Sequence, residues 1–190
     1  LMDDNLAETT SFEIRRPKKT YLLETVFNNE VFVFHFYDAK ARTLDVVSID
    51  RAGKQVGSYK VVDPGKYYLT AINSVIQTEQ EYTTIYEIGS RGFMYIETVK
   101  NKDIGFVLHG LDNNMKETWS YATDPVSKLF ESASVLSIDD QYALLMIMKK
   151  KSLASKKFDS FLMLVDTKTG DVKYNFQMQD NNEAQLSVLN

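Results

Sequence analysis

Ile49-Asp50-Arg51-Ala52-Gly53-Lys54-Gln55-Val56-Gly57-Ser58-Tyr59-Lys60-Val61-Val62-Asp63-Pro64 reads as the end of a strand, a tight turn, a second strand and an exit. Asp50 to Gly53 carries the residue types that favour a hairpin bend, and Pro64 has no amide hydrogen to continue a ladder. Leu164 to Asp180 repeats the same order around Asp166-Thr167-Lys168-Thr169-Gly170. A turn glycine or asparagine is followed ten residues later by aspartate three times, in Gly53 to Asp63, Asn114 to Asp124 and Gly170 to Asp180. A second marker runs beside it: Ser134-Val135-Leu136 returns as Ser187-Val188-Leu189, with Thr25-Val26-Phe27 as a looser counterpart. One supersecondary unit recurring every roughly 50–60 residues marks an array of stacked units.

Working outward, each unit divides into four short strands. The first takes Tyr21 to Phe27, Val31 to Tyr37, Leu44 to Ile49 and Gln55 to Val62. Val31 to Tyr37 is dense in β-branched and aromatic residues and too short for an ordinary helix. The second unit takes Tyr82 to Ile88, Phe93 to Val99, Ile104 to Leu111 and Lys116 to Thr123. In it Trp119 and Tyr121 read one step out of phase with Tyr59 and Val61. The third takes Glu131 to Ser137, Tyr142 to Met148, Phe161 to Val165 and Val172 to Met178, and Gln185 to Leu189 reads as the opening strand of a fourth. Tyr67 to Gln77 fits either a strand, since Ser74-Val75-Ile76 also matches the tripeptide, or a short helix in a connector.

Composition bounds the class of molecule. The 190 residues are 44% apolar and 25% charged, a balance that favours a packed globular core over disorder. Aromatics reach 12%, which suits pleated, half-buried surfaces. A net charge of −4 supplies no general attraction to nucleic acid or anionic lipid. The absence of cysteine excludes disulfides, thiol catalysis and cysteine metal sites. The longest apolar run, Tyr142 to Met148, is far below the ~18 residues of a spanning helix, so no membrane span is expected.

The strand, D-x-x-G turn, strand and D-P order in Ile49 to Pro64, echoed in Leu164 to Asp180, resembles the blades of β-propellers. The WD dipeptide and GH pair of WD-repeat proteins are missing, as is the repeated tryptophan of quinoprotein-like blades; Trp119 stands alone. The pattern is similar to the divergent propellers of cell-envelope and secreted proteins of Bacteroidota-type bacteria. The resemblance implies an all-β partial propeller of about three four-stranded antiparallel blades and the first strand of a fourth. An N-terminal extension, 1–19, precedes blades at about 20–65, 66–125 and 126–180, with the next starting at 181–190. Because closed propellers hold about four to eight blades, three blades imply either further blades of the same polypeptide or a second chain. A homodimer completing a six-bladed ring is one form of the latter. An envelope or extracellular location follows from the resemblance alone.

No residue pattern points to a reaction or a cofactor. His35, inside Val31 to Tyr37, and His109, before Gly110, have no metal-ligand spacing and read as packed or hydrogen-bonded. Asp139-Asp140 and Asn28-Asn29 occupy equivalent bends and read as turn formers, with calcium or sugar hydroxyls as the alternative. Gly89-Ser90-Arg91-Gly92 reads as a hairpin turn and not a nucleophile elbow. Binding candidates are Lys149, Lys150, Lys151, Lys156 and Lys157, in an enlarged loop suited to an anionic partner or simply to solvent. The resulting expectation is a non-catalytic binding scaffold partnered by a protein or by further blades. The alternative is part of a propeller enzyme acting on carbohydrate or peptide, its site completed by other blades.

Overall fold

A computed structural model describes residues 11, 13, 19–62, 72–74, 76, 83–101, 103–123, 130–151 and 155–178. Its strands are β1 (Thr20–Phe27), β2 (Val31–Asp38), β3 (Thr43–Asp50), β4 (Gln55–Val62), β5 (Ile85–Ile88) and β6 (Gly92–Asn101). They continue with β7 (Asp103–Asp112), β8 (Glu117–Ala122), β9 (Phe130–Ile138), β10 (Tyr142–Lys150), β11 (Asp159–Asp166) and β12 (Val172–Gln177). They form three four-stranded antiparallel sheets, β1-β2-β3-β4, β5-β6-β7-β8 and β9-β10-β11-β12, each a meander of neighbours in chain order. The expected all-β class and the four-strand units stand. Residues 72–74 and 76 are helical, which settles Tyr67 to Gln77 against a strand at those positions. The expected strand Gln185 to Leu189 and Asp63, Asp124 and Asp180 lie outside the described residues, as do most of residues 1–19.

The sheets stack face on face. We call the side each turns toward the next sheet its forward face and the opposite side its rear face. Val31, Val33, Leu44, Val46 and Val61 on the first sheet's forward face pack with Ile85, Phe93, Tyr95 and Leu111 on the second sheet's rear face. Ile72 of the helical segment is fully buried in the same cluster. The second sheet's forward face offers Met94, Ile96, Phe106, Leu108 and Trp119 to Ala143, Leu145, Ile147, Met163 and Val165 of the third. The period-2 alternation of a strand sends Phe93 and Tyr95 one way and Met94 and Ile96 the other. Gly92 to Ile96 therefore reads as a continuous apolar run because both faces are covered.

An aspartate-anchored hairpin links the third and fourth strand of each described sheet, one residue longer in the third than in the first two. Asp50, Asp112 and Asp166 each accept amide hydrogens of their own turn: Ala52 and Lys54, Asn114 and Lys116, Lys168 and Thr169. The left-handed residue is Gly53 (φ 81°) in the first, Met115 (φ 60°) in the second and Gly170 (φ 76°) in the third. Met115, not Asn114, thus stands where the glycines stand. Counting from it brings Tyr121 level with Tyr59, which corrects the one-step offset read from the sequence. Ladder partners agree: Tyr59 lies opposite Val46, and Tyr121 opposite Leu108. Burial of Met115, 2% exposed, in the first interface offsets the strain of this conformation.

Gly57, Trp119 and Tyr174 are structural equivalents, opposite Ser48, Gly110 and Leu164. At the first interface the position must be glycine, since a Cβ there would meet the Asn114 carbonyl oxygen at 1.9 Å. At the second it is Trp119, whose indole lies against Gly170 and donates to the Thr167 carbonyl at 2.9 Å. Because backbone is the obstacle at Gly57, Gly57→Ala is expected to cost about 2–3 kcal/mol in urea unfolding. Retention of wild-type stability would show that the sheets can part without loss.

Candidate functional site

A group of hydrogen-bonded polar side chains lies between the first two sheets. It has two ends joined by an aromatic ring. At one end Glu24 of β1, its side chain only 8% exposed, receives the His35 Nδ1 hydrogen of β2 at 3.0 Å. The same carboxylate accepts from the Thr84 amide at 3.0 Å, the Ile85 amide at 3.3 Å and the Thr84 hydroxyl. A first-sheet carboxylate thereby caps the amides that open β5, the first strand of the second sheet. A buried charge of this kind survives because several donors replace its water.

At the other end His109 of β7 lies between two carboxylates. Its Nε2 is 3.0 Å from Glu97 of β6, and its Nδ1 is 2.6 Å from Glu117 of β8. Two acceptors need two donors, so the ring is held as the imidazolium. Burial pulls the ring's pKa down, but the hydrogen bonds and charges of Glu97 and Glu117 outweigh burial and leave it above its ordinary 6.5. The Tyr59 oxygen of β4 is 3.3 Å from Nδ1. Burial, followed by the charges of Glu97 and Glu117, pushes this hydroxyl up to about 12, so it remains protonated. Tyr95, fully buried, joins the ends: its ring stands edge-on to His35 at 5.6 Å and stacked on His109 at 5.8 Å.

This arrangement binds sheets together better than it moves protons. An imidazolium donating from both nitrogens has no lone pair to act as a base. Among the described residues no group of three or more His, Cys, Asp or Glu side chains is disposed to hold a metal ion. A cavity of about 120 Å³ at the turn end of the second interface is lined by Arg91, Asp112, Thr118, Thr167 and Lys168. That is well below the ~300–1,000 Å³ of small-molecule pockets. Arg91 is already engaged by the Asp140 carbonyl and the Thr167 hydroxyl.

The residues singled out from the sequence fall in separate places. Both histidines are hydrogen-bonded, as read, yet the sequence placed them in unrelated positions. The forward face of β2 and the rear face of β7 bring them to one interface. Asn28 and Asp139 are turn formers: Asn28 Oδ1 accepts from Glu30 and Val31, and Asp139 Oδ1 from Gln141 and Tyr142. These amides hold the Asp139 carboxyl below its ordinary value. Lys149 and Lys150 are adjacent in a strand and so point to opposite faces of the third sheet. Lys149 pairs with buried Glu131 at 3.1 Å and lies over Phe161, while Lys150 lies over Phe158. Lys151, Lys156 and Lys157 are exposed. Glu24, Glu97, Glu117, Tyr59 and Tyr95 were missed, since acids and tyrosines on strands carry no local signal until their partners are known.

Among known proteins, a family model described as "Family of unknown function (DUF6770)" matches residues 1–188, and no curated protein matches the chain.

Two outcomes are expected. Glu24→Ala leaves His35, Thr84 and Ile85 donors buried without their acceptor, and should cost about 3 kcal/mol in urea unfolding; a loss under about 1 kcal/mol would remove the clamp. The His109 pKa is raised in the folded protein, so its stabilisation is complete below pH 6.5 and declines as pH rises through the folded-state value. His109→Gln should flatten unfolding free energy against pH over that range, and an unchanged slope would refute the imidazolium.

Proposed function

The chain belongs to this family of unknown function, and from its architecture we propose that it is a non-catalytic binding scaffold forming part of a β-propeller. Support for the propeller comes from three consecutive meanders, each with an aspartate-anchored last hairpin, stacked forward face to rear face. Their opening strands are also neighbours, β1 beside β5 and β5 beside β9, as inner strands around a common axis would be.

The observation that carries the scaffold role is the chemistry of the two ends of the stack. Tyr174 and Phe176, on the forward face of the third sheet, are 72% and 63% exposed. They continue a surface of Leu144, Met146, Leu162 and Leu164, all only half-buried. The rear face of the first sheet carries half-buried Phe32 and Phe34 beside stacked Phe27, with Phe36 and Ile49 of the same face buried. Among the described residues no further sheet covers either face. Contiguous apolar surface of this kind serves association.

Native mass spectrometry of the protein purified from its source tests the role. A complex of fixed stoichiometry is expected, lost when Tyr174 and Phe176 are both changed to Asp. A lone monomer that turns over members of a glycan or peptide library would instead establish the enzyme alternative.

A further inference from the structure

Between Gln141 and Phe158 the chain carries five lysines and no acid, against a net charge of −4 for the whole. The fold gathers these lysines at one end of the third sheet. The connection from second to third strand takes four residues in the first sheet, one in the second and eight, Lys151 to Phe158, in the third. Two acids stand at the base of this long loop, Glu131 and Asp159, and both lie opposite Lys149 in the ladders. Lys149 is bonded to Glu131 at 3.1 Å and is neutralised there. Lys150, Lys151, Lys156 and Lys157 form no ion pair among the described residues.

An apolar ring sits among these charges. Phe158 is 46% exposed, and the Lys150 ammonium lies 5.7 Å from its centroid. The Ser155 hydroxyl donates to the Lys157 carbonyl at 2.9 Å and accepts the Lys157 amide hydrogen at 3.3 Å. That pair of bonds bends the chain and leaves Lys156 exposed at the bend. We propose that this loop docks the protein on an anionic lipid bilayer, its lysines among the headgroup phosphates and Phe158 at the acyl boundary. Such docking is independent of the scaffold role and adds to it.

Three features of the loop suit a bilayer better than another polyanion. All five cations are lysines, compact charges on flexible stems that follow a fluid array of phosphates. The rigid guanidinium forks suited to base edges are absent from this stretch. The loop closes a hairpin at the end of a sheet with Lys151, Lys156, Lys157 and Phe158 all exposed, a shape that meets a plane and needs no groove. Phe158 supplies an apolar anchor, and lysine stems bury beside it while their ammonium groups stay wet. The rest of the chain is net acidic, so the same surface repels it and turns the loop inward. Each lysine near an anionic leaflet strengthens binding roughly fivefold.

Co-sedimentation of the 190-residue chain with vesicles of equal parts phosphatidylglycerol and phosphatidylcholine should show binding, with none to phosphatidylcholine alone. Raising salt from about 0.1 M to about 1 M should release the protein. Lys151→Gln, Lys156→Gln and Lys157→Gln together should weaken binding by more than roughly tenfold, with circular dichroism and urea midpoint unchanged because all three are exposed. Lys54→Gln, Lys116→Gln and Lys168→Gln, exposed in the last hairpins at the opposite ends of their sheets, should together leave binding as in wild type. Phe158→Trp should give an emission blue shift with the anionic vesicles, against a constant background from buried Trp119. Binding indifferent to headgroup charge, equal loss in the two triple variants, or no blue shift overturns the proposal. Capture by DNA or an acidic polysaccharide without vesicle binding overturns it as well and assigns the lysines to that polyanion.

Discussion

The second sheet is apolar on both sides, and the rest of the structure follows from that constraint. Phe93 and Tyr95 are fully buried against the first sheet, and Met94 is fully buried against the third. A sheet with no solvent face cannot exist without a neighbour on each side. The first and third sheets satisfy it, but they are built to the same plan and inherit the same need. Each therefore ends the described stack with an apolar face of its own. The proposed scaffold role rests on this: each described sheet is built like the interior one.

Packing of this kind is non-directional, and apolar faces alone would let the sheets slide. The polar groups between the first two sheets supply direction. Glu24 takes amide hydrogens from Thr84 and Ile85, so β1 is held against the opening of β5 at one register. His109, tied to β6 and β8 through Glu97 and Glu117, presents its ring to Tyr59 across the interface. At the second interface Trp119 plays the directional part through the Thr167 carbonyl. Each contact sacrifices some apolar area and in return gives the stack a defined alignment.

How much of this was legible depends on the range of the signal. All twelve strands of the described residues were visible, most within two residues at each end, because residue composition and turn chemistry act over a few positions. The Asp50, Asp112 and Asp166 hairpins announced themselves for the same reason. Met115 did not: methionine gives no hint of a left-handed residue, and Asn114 beside it does. The helical residues near Ile72 were ambiguous because Ser74-Val75-Ile76 carries strand-like composition, and Ile72 is buried in the first core. The polar site was invisible, since Glu24 and Thr84 stand sixty residues apart.

By itself the sequence determined the all-β class, the approximate place of the described strands and most of their turns, all set by neighbours along the chain. Only the tertiary structure decided which face meets which sheet, that His35 and His109 flank one tyrosine, and that Glu24 is a clamp. The physical reason is that pleat and turn geometry are local, whereas the partner of a buried charge is chosen by how whole sheets stack.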